Sequence, residues 1–324
     1  VESDLKVGVG AWLGSSGPTT DAITEQATKA EALGFHSFWL PESHFSSENS
    51  VPAPLLLLAV AAAQTKTLFL GTSSFLLPIR NPIQMAEEIS VLDQLSSGRV
   101  ILGVGRGYQR QLFSAYGTQA NNKRQVFEEA LRKMISAWAG EPIEVEGKET
   151  DENMNSSYLF PLPFQRPHPP IWVAAFGSKA VSQAGRLGFP YLASPVETLS
   201  MLEAKYARHR EAQEKYNHGV AKSVPVMRTI FVSRKTDQLN SIREKLDAET
   251  RLRADSPVIA IRTSADASIE DWAIIGEPAE VADKIELYRE RLGVTHLIAT
   301  RTRLSHLTSS ELEGSLELLA EIVN

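Results

Sequence analysis

The 324-residue chain contains no cysteine. That absence excludes disulfides, zinc–thiolate and iron–sulfur centres and a thiol nucleophile, and it agrees with a cytoplasmic setting. Long apolar runs are missing too. Leu55–Ala63, the longest, is about half of the ~20 residues a bilayer span needs, so no membrane association is expected. The opening VESDLKVGVG lacks the basic and apolar regions of a signal peptide. Positive charge is in deficit, with 33 Lys and Arg against 39 Asp and Glu, so there is no global basic field for nucleic acid. The seven histidines are scattered without HxH, HxxxH or HExxH spacing, and no metal site is expected. Ser73 and Ser74 have no GxSxG context, which argues against a serine hydrolase.

What is present is an ordinary globular composition, 43% hydrophobic and 22% charged, enough for a large core. Length alone would allow two domains; the alternation of elements fits one domain over residues 1–324. Short apolar runs read as strands at Lys6–Ala11, His36–Phe45, Leu68–Leu77, Val100–Val104, Ile171–Ala175, Tyr191–Ala193, Pro225–Val232 and His296–Thr300. The third carries an unusual polar break, Thr72-Ser73-Ser74. Between them lie helical patterns at Asp21–Leu33, Leu55–Thr65, Ile83–Leu95, Arg124–Trp138, Ser178–Leu187, Glu197–Tyr216, Pro278–Leu292 and Ser309–Val323. The helix over Ile83–Leu95 has Pro82 in its first turn and an apolar face of Ile83, Ala86, Ile89, Ser90, Leu92 and Leu95. Asp93 and Arg99 face each other across the following turn and are expected to pair.

Gly140–Pro170 is an excursion, read as a small hairpin or an extended cover. Thr236–Gly276 is longer than the ~2–6 residues of most βα connections. It reads as an inserted helix followed by a lid around Asp255–Gly276. Eight strands with helices between them predict an α/β protein, a (β/α)8 TIM barrel with an insertion after strand 7 and an excursion before strand 5. A doubly wound sheet would use fewer strands. It would also place a glycine fingerprint after the first strand, which Trp12–Pro18 does not supply.

In such a barrel the active site lies at the C-terminal strand ends. Polar groups collect there: Glu42 and His44, Ser73 and Ser74, Gly105-Arg106-Gly107-Tyr108, Ala174-Ala175 leading to Gly177-Ser178, and Ser194. Arg106 between glycines and the helix N-terminus at Gly177-Ser178 suit a phosphate, though a structural glycine turn explains the same residues. His44 is either an acid, base or donor, or a buried histidine satisfied by a neighbour. Glu42 is either part of the chemistry or a partner for a backbone N–H. Trp12, Phe75, Phe113 and Trp272 suggest an apolar pocket.

Four segments in order resemble the bacterial luciferase-like family of flavin- and deazaflavin-dependent oxidoreductases. They are PESHF, PIRNPIQMAEEISVLDQLSSGRVILGVGRGY, FQRPHPPIWVAAFGSKAVSQAGRLGF and IIGEPAEVADKIELYRERLGVTHLI. The resemblance implies reduced FMN supplied by a separate flavin reductase, or deazaflavin F420, and a homodimer. Carried over residue by residue, Arg106, Gly177 and Ser178 would hold the cofactor phosphate, assisted by Arg124. Glu42, Ser73, Ser74, Tyr108, Ala174 and Ala175 would line the ring or ribityl chain, with Gly107 and Ser194 beside them. Ser73-Ser74 is the place for the non-prolyl cis peptide of F420-dependent members. His44 matches a histidine that assists flavin–oxygen chemistry. Many FMN members read Glu-His-His there and many F420 members Asp-His; Glu42-Ser43-His44 departs from both, and its glutamate leans towards FMN. The implied function is a two-component monooxygenase using FMNH2 and O2 on a small organic substrate. The alternatives are an F420-dependent hydride-transfer enzyme and a flavin-binding protein without turnover.

Overall fold

The computed structural model describes residues 5–12, 17–45, 49–143, 157–252 and 268–324. Among the described residues there are ten parallel strands: β1 (Lys6–Gly10), β2 (Ser37–Leu40), β3 (Phe69–Thr72), β4 (Phe75–Leu76), β5 (Val100–Gly105), β6 (Ile171–Ala174), β7 (Tyr191–Leu192), β8 (Pro225–Val232), β9 (Ala273–Gly276) and β10 (His296–Thr300). The sheet order is β7-β6-β5-β3-β2-β1-β10-β8-β9, with β4 continuing alongside β5. A parallel bridge between Ala193 and Val226 brings β7 against β8 and closes the curl. The ring β1, β2, β3, β5, β6, β7, β8, β10 is the eight-stranded barrel expected from the sequence, with β9 added on the C-terminal half of β8.

The strands are apolar on both faces because both faces are covered. Inward, Trp39, Ile101, Trp172, Leu192 and Ile298 fill the barrel. Trp39 and Trp172 stack at 5.1 Å between centroids. Glycine makes room for this: a Cβ on Gly71 would stand 2.2 Å from the Trp39 ring. Outward, a larger apolar cluster joins the sheet to the helices.

The helices are α1 (Thr20–Ala32), α2 (Pro54–Gln64), α3 (Pro82–Leu95), α4 (Arg110–Ala115), α5 (Lys123–Trp138), α6 (Ser178–Arg186), α7 (Leu199–Lys215), α8 (Thr236–Leu252), α9 (Pro278–Leu292) and α10 (Ser309–Val323). Their ends follow local chemistry. Thr19 Oγ1 accepts from Ala22 N, and Asn81 Oδ1 accepts from Ile83 N and Gln84 N at 2.9 and 3.2 Å. Gly293 ends α9 at φ 69°, in the left-handed region.

Several expectations need correction. The third strand is divided into β3 and β4 by the Thr72-Ser73-Ser74 break. The reach assigned to a lid is partly a strand: β9 is buried along its whole length, while residues 255–267 lie outside the described residues. Of the excursion, an antiparallel bridge ties Ile143 to Ser157, and residues 144–156 lie outside the described residues. Helix α4 was not anticipated. Leu95 is 62% exposed, turned away from the core to which the helical pattern assigned it.

Asp93 and Arg99 do not pair. Arg99 is buried and donates to Thr65 O, Ala62 O, Leu68 O and Ser96 O, so it caps α2 and stitches it to β3. Asp93 instead accepts from Gln165 N and Nε2, both at 2.8 Å. Neutral carbonyls at a helix C-terminus hold a guanidinium well, because their dipoles already point at it.

At the N-terminal end of the barrel, His36 stacks on Phe69 at 4.7 Å and meets His296 edge-on at 5.7 Å. Burial pushes both imidazoles down to about 4, helped by nearby Lys6 and, for His296, by His36. The unfolded chain therefore binds these protons first. Their contribution to stability is complete above about pH 6.5 and is lost as pH falls towards 4. Unfolding free energy measured in urea should fall across that window, and His36→Phe should flatten the slope. An unchanged slope in the variant would remove His36 as a source of the acid sensitivity.

Candidate active site

The C-terminal strand ends form a mouth with two adjoining cavities, of about 500 and 370 Å³. They share Ser43, Ser73, Ser74, Tyr108, Ala174 and Phe176. The smaller is also lined by Glu42, His44, Arg106, Gly107 and Ala175, and the larger by Ser194. The fold thus gathers ten of the residues singled out from the sequence. Three are elsewhere: Gly177 and Ser178 are exposed at the start of α6, and Arg124 lines a third cavity of about 470 Å³ with Glu128, Gln183 and Arg186. Gln183 links the groups, because Arg106 Nη1 donates to its Oε1 at 2.9 Å. Trp12, Phe75, Phe113 and Trp272 are core residues and line neither mouth cavity.

The Ser73-Ser74 peptide is cis, at the position the resemblance implied for F420-dependent members. Around it the two strands fit closely. Thr72 Oγ1 donates to Gly103 O at 2.8 Å, and a Cβ on Gly105 would lie 2.2 Å from Ser74 Oγ. Only glycine on β5 admits the serine side chain there.

His44 is held from both sides. Its Nε2 lies 2.6 Å from Glu42 Oε1 and its Nδ1 lies 3.1 Å from the Tyr116 hydroxyl. Glu42 also accepts from Arg80 Nη1 at 2.7 Å and from Leu76 N at 2.9 Å. The carboxylate side chain is 0% exposed and the imidazole 2%. A carboxylate only accepts, so a neutral His44 carries its hydrogen on Nε2 and accepts at Nδ1 from Tyr116. Glu42 thus satisfies a backbone N–H, one of its two readings, and also lies against the imidazole. Ser43 ties the loop down, its Oγ accepting from Val51 N at 2.9 Å. Ser194 is fixed by its backbone, with its N donating to Glu197 and its carbonyl accepting from buried Arg228. The sequence did not single out Arg80 and Tyr116, which lie 38 and 72 residues from their partners.

The luciferase-like monooxygenase family model matches residues 5–296. The chain belongs to this family. Its members are oxidoreductases and monooxygenases. The chain is 28% identical to the alkanal monooxygenase alpha chain of Photorhabdus luminescens over 59% of its length and 52% of that chain. It is 28% identical to the F420-dependent glucose-6-phosphate dehydrogenase of Kineococcus radiotolerans over 85% of its length and 86% of that protein. The oxygenating constituent of 3,6-diketocamphane monooxygenase from Pseudomonas putida, solved with FMN, has a TM-score of 0.81 over 98% of both chains at 23% identity, a likeness of fold. The chain spans between 44% and 65% of the length of several curated relatives.

In this luciferase-like barrel the donor set beside the smaller cavity fits a phosphate. Burial, and then the neighbouring Arg124, pull Arg106 below its ordinary value; burial, and then Arg106, do the same to Lys123. Lys123 also donates to Gly107 O at 3.0 Å. The nearby Glu128 is engaged by Arg186 and Gln183. An anion would relieve this crowding of cations. The first turn of α6 has no side-chain cap, so it too faces an anion favourably. Lys123 was missed from the sequence because Arg124 beside it already fitted the expected role. Among the described residues no group of three or more metal-ligating side chains occurs, and no helix is long and apolar enough to cross a membrane.

The buried Glu42 charge generates a prediction. Removing one partner of such a pair costs about 3 kcal/mol or more. Arg80 is partly solvated, at 19% exposure, so Arg80→Ala should lower the unfolding free energy by about 3 kcal/mol, the low end of that range. Urea denaturation of Arg80→Ala and Arg80→Lys measures it; equal stability of wild type and Arg80→Ala would mean that His44 and the Leu76 amide suffice.

Proposed function

We propose that the chain is the oxygenase component of a two-component monooxygenase that uses FMNH2 and O2 to oxidise a small organic substrate. One observation carries this reading: a set of half-buried and exposed cations, crowding one another, stands beside an imidazole fixed on both ring nitrogens at the barrel mouth. Arg106, Lys123, Arg124 and the start of α6 would hold the phosphate. Ser73, Ser74, Tyr108, Ala174 and Ala175 would line the rest of the cofactor. Bound reduced FMN supplies the electrons that activate O2. His44 holds a proton on Nε2 against Glu42 and can receive another at Nδ1 from Tyr116. Its burial keeps bulk water from that proton. The reductase is a separate protein in this reading, and the setting is cytoplasmic.

A second reading is an F420-dependent hydride-transfer enzyme. The match to the Kineococcus dehydrogenase favours it, since it covers 85% of the chain. Anaerobic titration with FMNH2 and, separately, with reduced F420 decides between them. Tight FMNH2 binding followed by oxygen uptake on aeration is the expected result. His44→Ala should keep FMNH2 affinity within about threefold and divert oxygen to hydrogen peroxide, since the residue acts on protons and not on the phosphate. Preference for F420 without oxygen uptake would replace the monooxygenase reading. Unchanged coupling in His44→Ala would retire the role of the histidine.

The same reading includes a homodimer through α2 and α3. Leu56 and Leu95 are 71% and 62% exposed there, beside Val91, around an apolar cavity. Contiguous exposed apolar surface of this kind marks association sites. The wild type should sediment as a dimer, and Leu95→Glu should shift it towards monomer at micromolar concentration. A monomeric wild type would end the proposal.

A further inference from the structure

The larger mouth cavity has an electrostatic peculiarity. Among the described residues that line it, Arg301 alone is charged. It follows β10 directly, and apolar side chains including Trp39, Leu192, Met227 and Val196 line the same cavity. No described side chain or carbonyl accepts from its guanidinium. The neighbouring arginines do make such bonds: buried Arg228 donates through Nη1 to Ser194 O and Met227 O, leaving its Nε and Nη2 without a hydrogen-bond partner among the described residues, and half-buried Arg303 donates to Thr250 Oγ1 while lying over the Trp272 ring. Burial alone draws Arg301 below its ordinary value. A half-buried guanidinium with an apolar wall opposite it is costly unless something there is negative.

We propose that Arg301 is a specificity-determining residue that receives the carboxylate of the substrate, so that the substrate is a small organic acid with an apolar body. This rests on the reading of the mouth as the substrate and cofactor site. A planar carboxylate can accept two parallel N–H bonds from a guanidinium. The apolar wall accepts the remainder of the molecule. Thr300 and Thr302, whose hydroxyls are 3.1 Å apart, flank the arginine and add polar contacts at the same end. The acid end is thereby held by the β10 edge of the cavity. The Ser73-Ser74 wall, shared with the smaller cavity, is left to the cofactor.

The test uses matched acids and amides on the full-length protein, with octanoate against octanamide and benzoate against benzamide as probes. Binding is measured by calorimetry with and without FMN. A charge-assisted pair predicts that wild type binds each acid about tenfold or more tighter than its amide. In Arg301→Gln that preference should shrink to about twofold or less, and Arg301→Lys should retain part of it, while both variants keep the wild-type melting temperature and FMN affinity. Equal binding of acid and amide by wild type, or binding of neither, overturns the proposal. So does a preference that survives Arg301→Gln. Loss of FMN affinity in Arg301→Gln with the acid preference intact would place the guanidinium on the cofactor instead. If FMNH2 binding and oxygen uptake fail while the acid preference depends on Arg301, the monooxygenase reading falls and the organic-acid site stands.

Discussion

A carboxylate with no solvent contact organises the mouth of this barrel. Glu42 lies just beyond β2, and its partners come from three places in the chain: His44 beside it, the Leu76 amide of β4, and Arg80 after the turn that follows. Burying that charge is favourable only when well-placed donors compensate it, and three converge on it here. The requirement fixes the β2 loop, the segment after the Ser73-Ser74 break and the imidazole relative to one another. Tyr116 then completes His44 from the opposite side. The imidazole at the mouth is thereby positioned by a carboxylate whose side chain has no solvent exposure.

The two ends of the barrel use the same side-chain chemistry in opposite ways. At the closed end, His36 and His296 sit against aromatic rings and are kept uncharged by burial. At the open end, Arg106 and Lys123 remain as cations that crowd one another. Tryptophans and small residues in between seal one end from the other, with Gly71 giving space to Trp39. Like charges thus crowd one another at the open end, whereas the histidines of the other end are held neutral.

Much of the barrel could be read from the chain because each strand is short, apolar on both faces and bounded by turn residues. Seven of the barrel strands and most helices lie close to their expected positions, and Pro82 and Gly293 mark helix ends by local geometry alone. β9 escaped because AIIG sits at the end of a connection whose length suggested an inserted helix and a lid. Leu95 has the spacing of a core residue, yet its helix has an apolar stripe wider than the barrel covers. The Asp93–Arg99 pairing failed because opposite charges close in sequence had better partners elsewhere: carbonyls at the end of α2 for one, Gln165 for the other.

The site divides along the same line. Glu42, His44, Ser73, Ser74, Arg106 and Ser194 were visible because each follows an apolar run, and in a parallel barrel every such end points to one rim. Arg80, Tyr116, Lys123 and Arg301 were not, since their roles depend on distances across the rim and on how deeply each is buried. Sequence by itself determined the alternation of elements, hence the barrel and the rim on which chemistry can occur, because backbone hydrogen bonding and apolar periodicity are local. Tertiary structure alone decided which charges are satisfied and which await a ligand, because solvation and ion pairing depend on the neighbours that folding brings together.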